Sequence, residues 1–313
     1  MKVKSRLVKN INNYNKLFDK QKKIIILIIL AIVILYNDID KKFINEKEIK
    51  KYKDEQNDFC DNPSKYYKNY IEEQIELQNV SLLGLTYKMY IYKKKHFMSS
   101  IKKNGVYEKK ETINILNALQ YYSRIKNIFN NKEIFMIDIG GHTGWYPSFF
   151  GRLGYSILSF EPLEMNYYIL RKNLCLMKKY SNIVIITKGI NNYEMICDYY
   201  KHGNNMGNGM IICNKKNIAL IKIDIEGNEG KAIESGFDLI NKYRVPFILI
   251  EFTPIFLKEH GTDPNKFLKL FIKNGYKISI HGFLSNNYIS IEDIFKITKY
   301  QINLYFIHSS IIK

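Results

Sequence analysis

The segment Ile137 to Phe150, with the sequence IDIGGHTGWYPSFF, indicates how this chain folds. A run of apolar, β-forming residues is interrupted at Asp138 and gives way to Gly140, Gly141 and Gly144. A buried strand that ends in a glycine turn before a helix is typical of a doubly wound α/β sheet.

The rest of the chain from residue 134 follows the same alternation of apolar strands and amphipathic helices. Near-continuous apolar strands joined by helices predict a mostly parallel sheet with helices on both faces. Two final strands without a long helix between them predict that the last strand inserts antiparallel. The seven strand candidates are residues 134–140, 156–162, 183–189, 219–227, 246–252, 276–282 and 302–308.

Ligands of such sheets bind beyond the carboxyl ends of the strands, where Asp138 and Glu161 end the first two. Glycines let the backbone approach a ligand closely, and Glu161 is placed to accept the hydroxyl hydrogens of a ribose. An acid two residues before the first glycine disfavours a pyrophosphate and favours an ammonium group. S-adenosylmethionine has the ammonium and the ribose without a phosphate. The alternative is an ordinary tight turn, with Glu161 only capping a helix.

Three further acids end later strands. Alternation with a period of two predicts that Asp224 and Glu226 point to one face, and Glu251 ends the next strand. Such acids could accept a proton from a substrate hydroxyl, hold a divalent cation or bind sugar hydroxyls. The alternatives are a salt bridge with Lys222, a helix cap after Gly227, and a structural role for Glu251.

Other polar residues are weaker candidates. His281 ends a predicted strand, whereas the remaining histidines have no site-like spacing. Residues 202–211 are rich in glycine and asparagine, which predicts either a plain turn or a loop over the site with amide contacts from Asn204 and Asn208.

Together these segments resemble the FkbM-type methyltransferases, which have the class I, Rossmann-like methyltransferase fold. The resemblance covers residues 134–280 and is most specific in LIKIDIEGNEGKAIESG, residues 220–236. It implies methyl transfer from S-adenosylmethionine to an acceptor hydroxyl, with Asp224 and Glu226 facing the acceptor; Glu251 is a third catalytic candidate from its position at a strand end. By motif match Asp138, Gly140 and Gly144 would surround the methionine part of the cofactor and Glu161 would bind its ribose. Gly141 and Thr143 of the same loop complete the predicted cofactor site. Some related enzymes use a divalent metal such as Mg²⁺, but this sequence shows no complete set of metal ligands.

The composition leaves other functions open. A net charge of +18 and 25 tyrosines are compatible with a nucleic-acid methyltransferase. The excess of Lys, Asn, Ile and Tyr also fits a bias of the coding DNA, and DIEGNE replaces the Asp/Asn-Pro-Pro-aromatic motif of base amino-group methylation. A membrane-tethered protein that binds S-adenosylmethionine without catalysis is a further alternative. The sequence favours O-methylation of a glycan or another small acceptor.

The N-terminal region predicts a membrane anchor. The apolar residues 24–36 follow a tail, residues 1–23, that has eight Lys or Arg and one Asp. This asymmetry predicts a cytosolic N-terminus and a lumenal catalytic domain, and a soluble protein with an internal helix is the alternative. A stem and helix (37–80), an N-terminal extension (81–133) and the methyltransferase domain (134–313) are predicted to follow.

Two smaller points concern the stem and the cysteines. YYKNYIEEQIELQ, residues 66–78, has helical periodicity and predicts the first helix of the stem. Cys60, Cys175, Cys197 and Cys213 lack the spacing of a zinc site, and the sequence leaves open whether they form disulfides or stay reduced.

Overall fold

The computed structural model describes residues 46–94, 99–177, 180–187, 189–191, 195–197 and 217–312. The strands are β1 (Ile75–Leu82), β2 (Leu85–Tyr92), β3 (Phe135–Ile139), β4 (Ser156–Phe160), β5 (Ile183–Ile186), β6 (Gly189–Asn191), β7 (Met195–Cys197), β8 (Ile218–Ile223), β9 (Phe247–Phe252), β10 (Tyr276–Ser279) and β11 (Ile302–His308). The helices are α1 (Glu46–Asp61), α2 (Asn69–Glu72), α3 (Ser99–Asn104), α4 (Lys109–Lys126), α5 (Trp145–Arg152), α6 (Glu164–Cys175), α7 (Glu229–Tyr243), α8 (Pro254–Glu259), α9 (Pro264–Lys273) and α10 (Ile291–Ile297).

Seven strands form the central sheet in the order β10-β11-β9-β8-β3-β4-β5. Strands β3, β4, β5, β8 and β9 pair in parallel, whereas β11 is antiparallel to both of its neighbours. The order is that of the class I methyltransferase-like α/β fold, so the predicted sheet and its antiparallel last strand are confirmed. The order reverses between β3 and β8, which places a ligand crevice at their carboxyl ends.

The sheet is covered by apolar packing on its faces. All six residues of β8 and all five of β4 are buried, as expected for strands covered by helices on both sides. On one face, Ile115 and Leu119 of α4 share a cluster with Trp145 and Phe149 of α5. Helix α4 therefore contributes its buried apolar residues to the core on this face of the sheet.

The region before the sheet differs from the prediction. Only Asn69–Glu72 of the expected helix over residues 66–78 is helical, and β1 begins at Ile75 and pairs with β2 as a hairpin. Val80 and Leu82 are buried while Ser81 between them is exposed. This alternation of buried and exposed residues is that of a strand and does not fit the predicted helix.

A disulfide joins Cys60 at the end of α1 to Cys175 at the end of α6. The same two helices are joined by a hydrogen bond from Gln56 Nε2 to the carbonyl of Arg171, at 3.2 Å. The Arg171 guanidinium also lies 4.4 Å from the centre of the Phe59 ring. The segment before the hairpin is thereby fixed to the helix that follows β4.

Several predicted features lie outside the described residues: the tail and the apolar segment 24–36, the loop 202–211 with Asn204 and Asn208, and the Cys213 side chain. Among the residues that the structure does describe, no helix combines the length and the apolar character needed to cross a membrane.

The disulfide gives the first testable prediction. A bond between residues 115 positions apart restricts the unfolded chain and stabilises the fold by about 2–4 kcal/mol. We expect reductant to lower the thermal midpoint of the wild type by several degrees. Cys60→Ser should show the same loss without reductant and no further loss with it. A melting curve of fully reduced wild type that matches the oxidised curve would contradict the prediction.

Candidate active site

The glycine loop after β3 lies at the reversal of strand order. Gly140 has φ +88°, and a Cβ atom there would lie 1.9 Å from the carbonyl oxygen of Asp224. The amides of Gly140 and Gly141 both donate to the carbonyl of Phe160, at 3.0 and 2.9 Å. The glycines therefore bring the ends of β3, β4 and β8 together, as only residues without a side chain allow.

The loop ends where α5 begins. Gly144 has φ +86°, and a Cβ atom there would lie 2.9 Å from Leu170 Cγ. The side chain of Asn173 donates to the carbonyl of Thr143 at 2.8 Å. Thr143 is fully buried, and its hydroxyl has no hydrogen-bond partner within the described structure. The loop therefore contains a buried hydroxyl whose hydrogen-bonding capacity is not used within the described residues.

Asp138 is fully buried at the end of β3. Its Oδ2 accepts a hydrogen bond from Ser159 at 3.0 Å, and its Oδ1 lies 3.8 Å from Lys222 Nζ. In the described part of the chain Oδ1 has no hydrogen-bond partner. Burial raises the pKa of Asp138, and the Lys222 ammonium opposes that rise.

Glu161 follows β4 and is also buried. Its Oε2 accepts from the His142 amide at 2.7 Å, and its Oε1 accepts from the Leu163 amide at 2.9 Å. Burial raises the pKa of Glu161, against the effect of these donors. The side chain accepts a hydrogen bond from the residue before α6, as expected if Glu161 caps that helix. It also accepts one from the glycine loop and so holds the loop beside Asp138.

Lys222 is the buried cation of this edge. Its Nζ lies 3.4 Å from Asp224 Oδ2 and donates to the carbonyl of Gly140 at 3.2 Å. Burial disfavours its charged form, but the carboxylates of Asp224, Asp138 and Glu108 outweigh that effect and raise the pKa of Lys222. The ammonium therefore stays charged between the glycine loop and the predicted acceptor acids.

The three predicted acceptor acids do come together: carboxylate oxygens of Asp224, Glu226 and Glu251 lie within 4.8 Å of one another. The reason differs from the prediction. Strand β8 ends at Ile223, and Glu226 lies in a turn with φ +55°, so strand alternation does not orient the pair. The salt bridge with Lys222 was weighed as an alternative to a functional role, and it forms with Asp224.

The pKa of Glu251 lies well above its usual range. Burial and the neighbouring charges of Asp224 and Glu226 raise the pKa of Glu251 to about 8. Gln301 donates to its Oε1 at 2.6 Å. A carboxyl that titrates near neutral pH can exchange a proton with a substrate hydroxyl.

Two functional residues were missed by sequence reasoning. Glu229 is buried in the first turn of α7 and accepts hydrogen bonds from the amides of Ile225 and Gly227, at 2.9 and 3.2 Å, so it holds the acidic turn in shape. Glu108 precedes α4 and accepts a hydrogen bond from the Tyr146 hydroxyl. The helix-start position of Glu229 could have indicated its role, whereas Glu108 has no local signal.

His281 lies at the same carboxyl edge of the sheet, since β10 runs parallel to β9, but at the far end of the strand order. It follows β10, which is separated from β8 by β11 and β9, and its amide donates to Ser279 Oγ at 3.1 Å. His260 likewise has a local contact, between its ring Nδ1 and the carbonyl of Phe256 at 2.9 Å.

Comparison with known families bears on this site because the acidic turn and its flanking elements are distinctive. Residues 211–278 match the methyltransferase FkbM domain. The matched segment contains β8, the acidic turn, α7 and β9, and with them Lys222, Asp224, Glu226 and Glu251. The predicted resemblance is confirmed there, and it supports an S-adenosylmethionine-dependent methyltransferase.

Solved structures similar to this chain include two methyltransferases. The magnesium protoporphyrin IX methyltransferase of Synechocystis PCC 6803 with bound S-adenosylmethionine is 12% identical, with a TM-score of 0.38, over 70% of this chain and 86% of that one. The METTL16 methyltransferase domain is 11% identical, with a TM-score of 0.39, over 80% of this chain and 91% of that one. No curated protein matches the chain.

The glycine loop gives a prediction with a matched control. Gly140→Ala should unfold more easily and lose S-adenosylmethionine binding, because its Cβ would displace the Asp224 carbonyl. Gly261→Ala has nearly the same strain, at φ +85°, but no atom within 4 Å of its Cβ. Urea titration should show about 1–2 kcal/mol of loss for the control. The loss for Gly140→Ala should exceed it by a further 1–3 kcal/mol or so, and equal losses would contradict the close approach.

Proposed function

We propose that this protein is an O-methyltransferase that transfers the methyl group of S-adenosylmethionine to a hydroxyl of a sugar or glycan. The observation that carries the proposal is the pair of buried carboxylates, Asp138 and Glu161, on either side of the glycine loop at the ends of adjacent strands. Burying a carboxylate costs free energy unless it accepts hydrogen bonds or pairs with a cation. A cofactor with an ammonium group and a ribose diol supplies a cation and two hydrogen-bond donors.

The loop residues fit this cofactor. Asp138 Oδ1 and Thr143 Oγ1 are buried acceptors without hydrogen-bond partners in the described residues, and a cofactor ammonium would satisfy them. Gly140 and Gly144 let the loop pack closely against the Asp224 carbonyl and Leu170 and adopt the positive φ that this turn requires. Glu161 Oε1 already accepts from the Leu163 amide and the Asn166 side chain, so Oε2, which within the described residues accepts only from the His142 amide, would hold the ribose.

The acceptor side fits transfer to oxygen. S-adenosylmethionine supplies an electrophilic methyl group, so the chain has to align the acceptor hydroxyl and remove its proton. Asp224, with Lys222 beside it, and Glu251, which titrates near neutral pH, are the candidates to accept that proton. Glu226 lies at the exposed rim, where a carboxylate binds sugar hydroxyls well.

The same charges weigh against a nucleic-acid acceptor. Asp224, Glu226 and Glu251 form an acidic edge that would repel a phosphate backbone, although the chain as a whole is basic. A neutral polyhydroxyl acceptor meets no such repulsion. The three acids alone do not establish a metal site, so magnesium dependence is tested separately by chelation.

We propose further that the chain is anchored through residues 24–36 with the catalytic domain in the lumen. The Cys60–Cys175 disulfide supports this placement, since such bonds persist in oxidising compartments. Trapping of free thiols in the native cells, followed by a non-reducing digest, tests it: the bond should be recovered intact, and alkylated Cys60 would contradict the placement.

The function is tested by separating cofactor binding from transfer. In calorimetry with S-adenosylmethionine, Asp138→Asn and Glu161→Gln should bind at least about tenfold more weakly, from the loss of charge-assisted hydrogen bonds. Asp224→Asn should still bind S-adenosylmethionine, more weakly because a carboxylate near the sulfonium is lost. At saturating cofactor it should transfer methyl groups about 10²–10⁴-fold more slowly, as expected for a lost general base.

Transfer is measured with methyl-labelled cofactor and fractionated cell extract, with and without EDTA. Glu133→Gln, which changes an exposed acid before β3, is the matched control and should behave as the wild type. Label in the glycan fraction supports the proposal. Label in RNA, or binding without any transfer, would contradict it.

A further inference from the structure

Glu108 comes from the segment that precedes the methyltransferase sheet. It has φ +42°, an uncommon backbone conformation for a residue with a side chain. Its carbonyl accepts from Thr112 Oγ1 at 2.8 Å, and the same hydroxyl accepts from the indole of Trp145 at 2.9 Å. The start of α4 is thereby fixed to the first turn of α5, and the Glu108 carboxylate accepts from the Tyr146 hydroxyl.

Tyr146 links Glu108 to the buried cation. The Lys222 ammonium lies 5.4 Å from the centre of the Tyr146 ring, whose hydroxyl bonds Glu108. Asp138 and Asp224 flank the same ammonium at 3.8 and 3.4 Å. Two carboxylates therefore contact the ammonium, and that of Glu108 acts on it from beyond the Tyr146 ring. Burial raises the pKa of Glu108, so its charge is tested above neutral pH.

The covalent structure of the cofactor places its own charge near this group. The sulfonium sulfur joins the methionine part, expected at Asp138 and the glycine loop, to the ribose, expected at Glu161. Its methyl group has to face the acceptor acids, of which Asp224 is one. A sulfonium bound in this way would therefore lie in the field of the carboxylates around Lys222.

We infer that Glu108 is a specificity-determining residue that favours the sulfonium form of the cofactor over its uncharged product, S-adenosylhomocysteine. The two compounds share every hydrogen-bonding group and differ by one methyl group and one positive charge. A carboxylate that is fixed by Tyr146 discriminates between them through charge alone. The inference rests on the proposed cofactor and goes beyond it, because it concerns the release of the spent cofactor.

The size of the effect follows from Coulomb's law. At an effective dielectric constant of about 20, one charge at about 8–15 Å changes an affinity by about fivefold to thirtyfold. S-adenosylhomocysteine lacks the positive charge, so its affinity should change much less.

The test is calorimetry of both compounds with the full chain at pH 8.5. Glu108→Gln keeps the shape and an acceptor for Tyr146 but removes the charge. We expect its affinity for S-adenosylmethionine to fall about fivefold to thirtyfold. Its affinity for S-adenosylhomocysteine should stay within about twofold of the wild-type value.

Two further variants separate charge from structure. Tyr146→Phe keeps the ring beside Lys222 and loses the hydroxyl that holds Glu108, so it should show a smaller change in the same direction. Glu133→Gln should keep the wild-type ratio of the two affinities. If Glu108 had only a structural role, its substitution would lower the affinities for both compounds equally and leave the ratio of the two affinities unchanged.

The outcomes distinguish this inference from the proposed function. A wild type that binds neither compound would overturn the function itself. A wild type that binds both, with an unchanged ratio of affinities in Glu108→Gln, would overturn the inference and leave the cofactor assignment intact.

Discussion

The arrangement of the site depends on one buried ion cluster. The Lys222 ammonium lies between the carboxylates of Asp138 and Asp224 and bonds the carbonyl of Gly140. Each of these charges would be costly to bury alone, and their mutual attraction offsets that cost. The cluster therefore fixes the distance between the glycine loop on β3 and the acidic turn after β8, which the proposed function assigns to cofactor and acceptor.

The sequence predicts the part of this arrangement that is local. The alternation of apolar strands and helices fixes the seven-stranded sheet, because each buried strand has to be apolar along its whole length. Strand ends then place Asp138, Glu161 and Asp224 at one edge. Lys222 also leaves a signal, as a lysine inside the apolar run ALIKIDI. Its partners could be inferred only once β3 and β8 were known to be neighbours.

Other parts depend on contacts that no local pattern shows. Glu108 reaches the site because α4 packs beside α5, through the bonds to Thr112 and Tyr146. The sequence indicates a helix where β1 begins, since the polar residues there also fit a helical period. The close approach of Asp224 and Glu226 follows from a turn with positive φ, held by Glu229, and strand alternation gave the right proximity for the wrong reason.

Hydrogen–deuterium exchange with and without S-adenosylmethionine tests the central claim most directly, namely that the cofactor binds in the crevice where the strand order reverses. The account predicts slower exchange in the peptides that cover residues 138–146 and 161–166, with little change in the β1–β2 hairpin. Protection confined to the hairpin or to β10, or saturating binding without protection of the glycine loop, would contradict it.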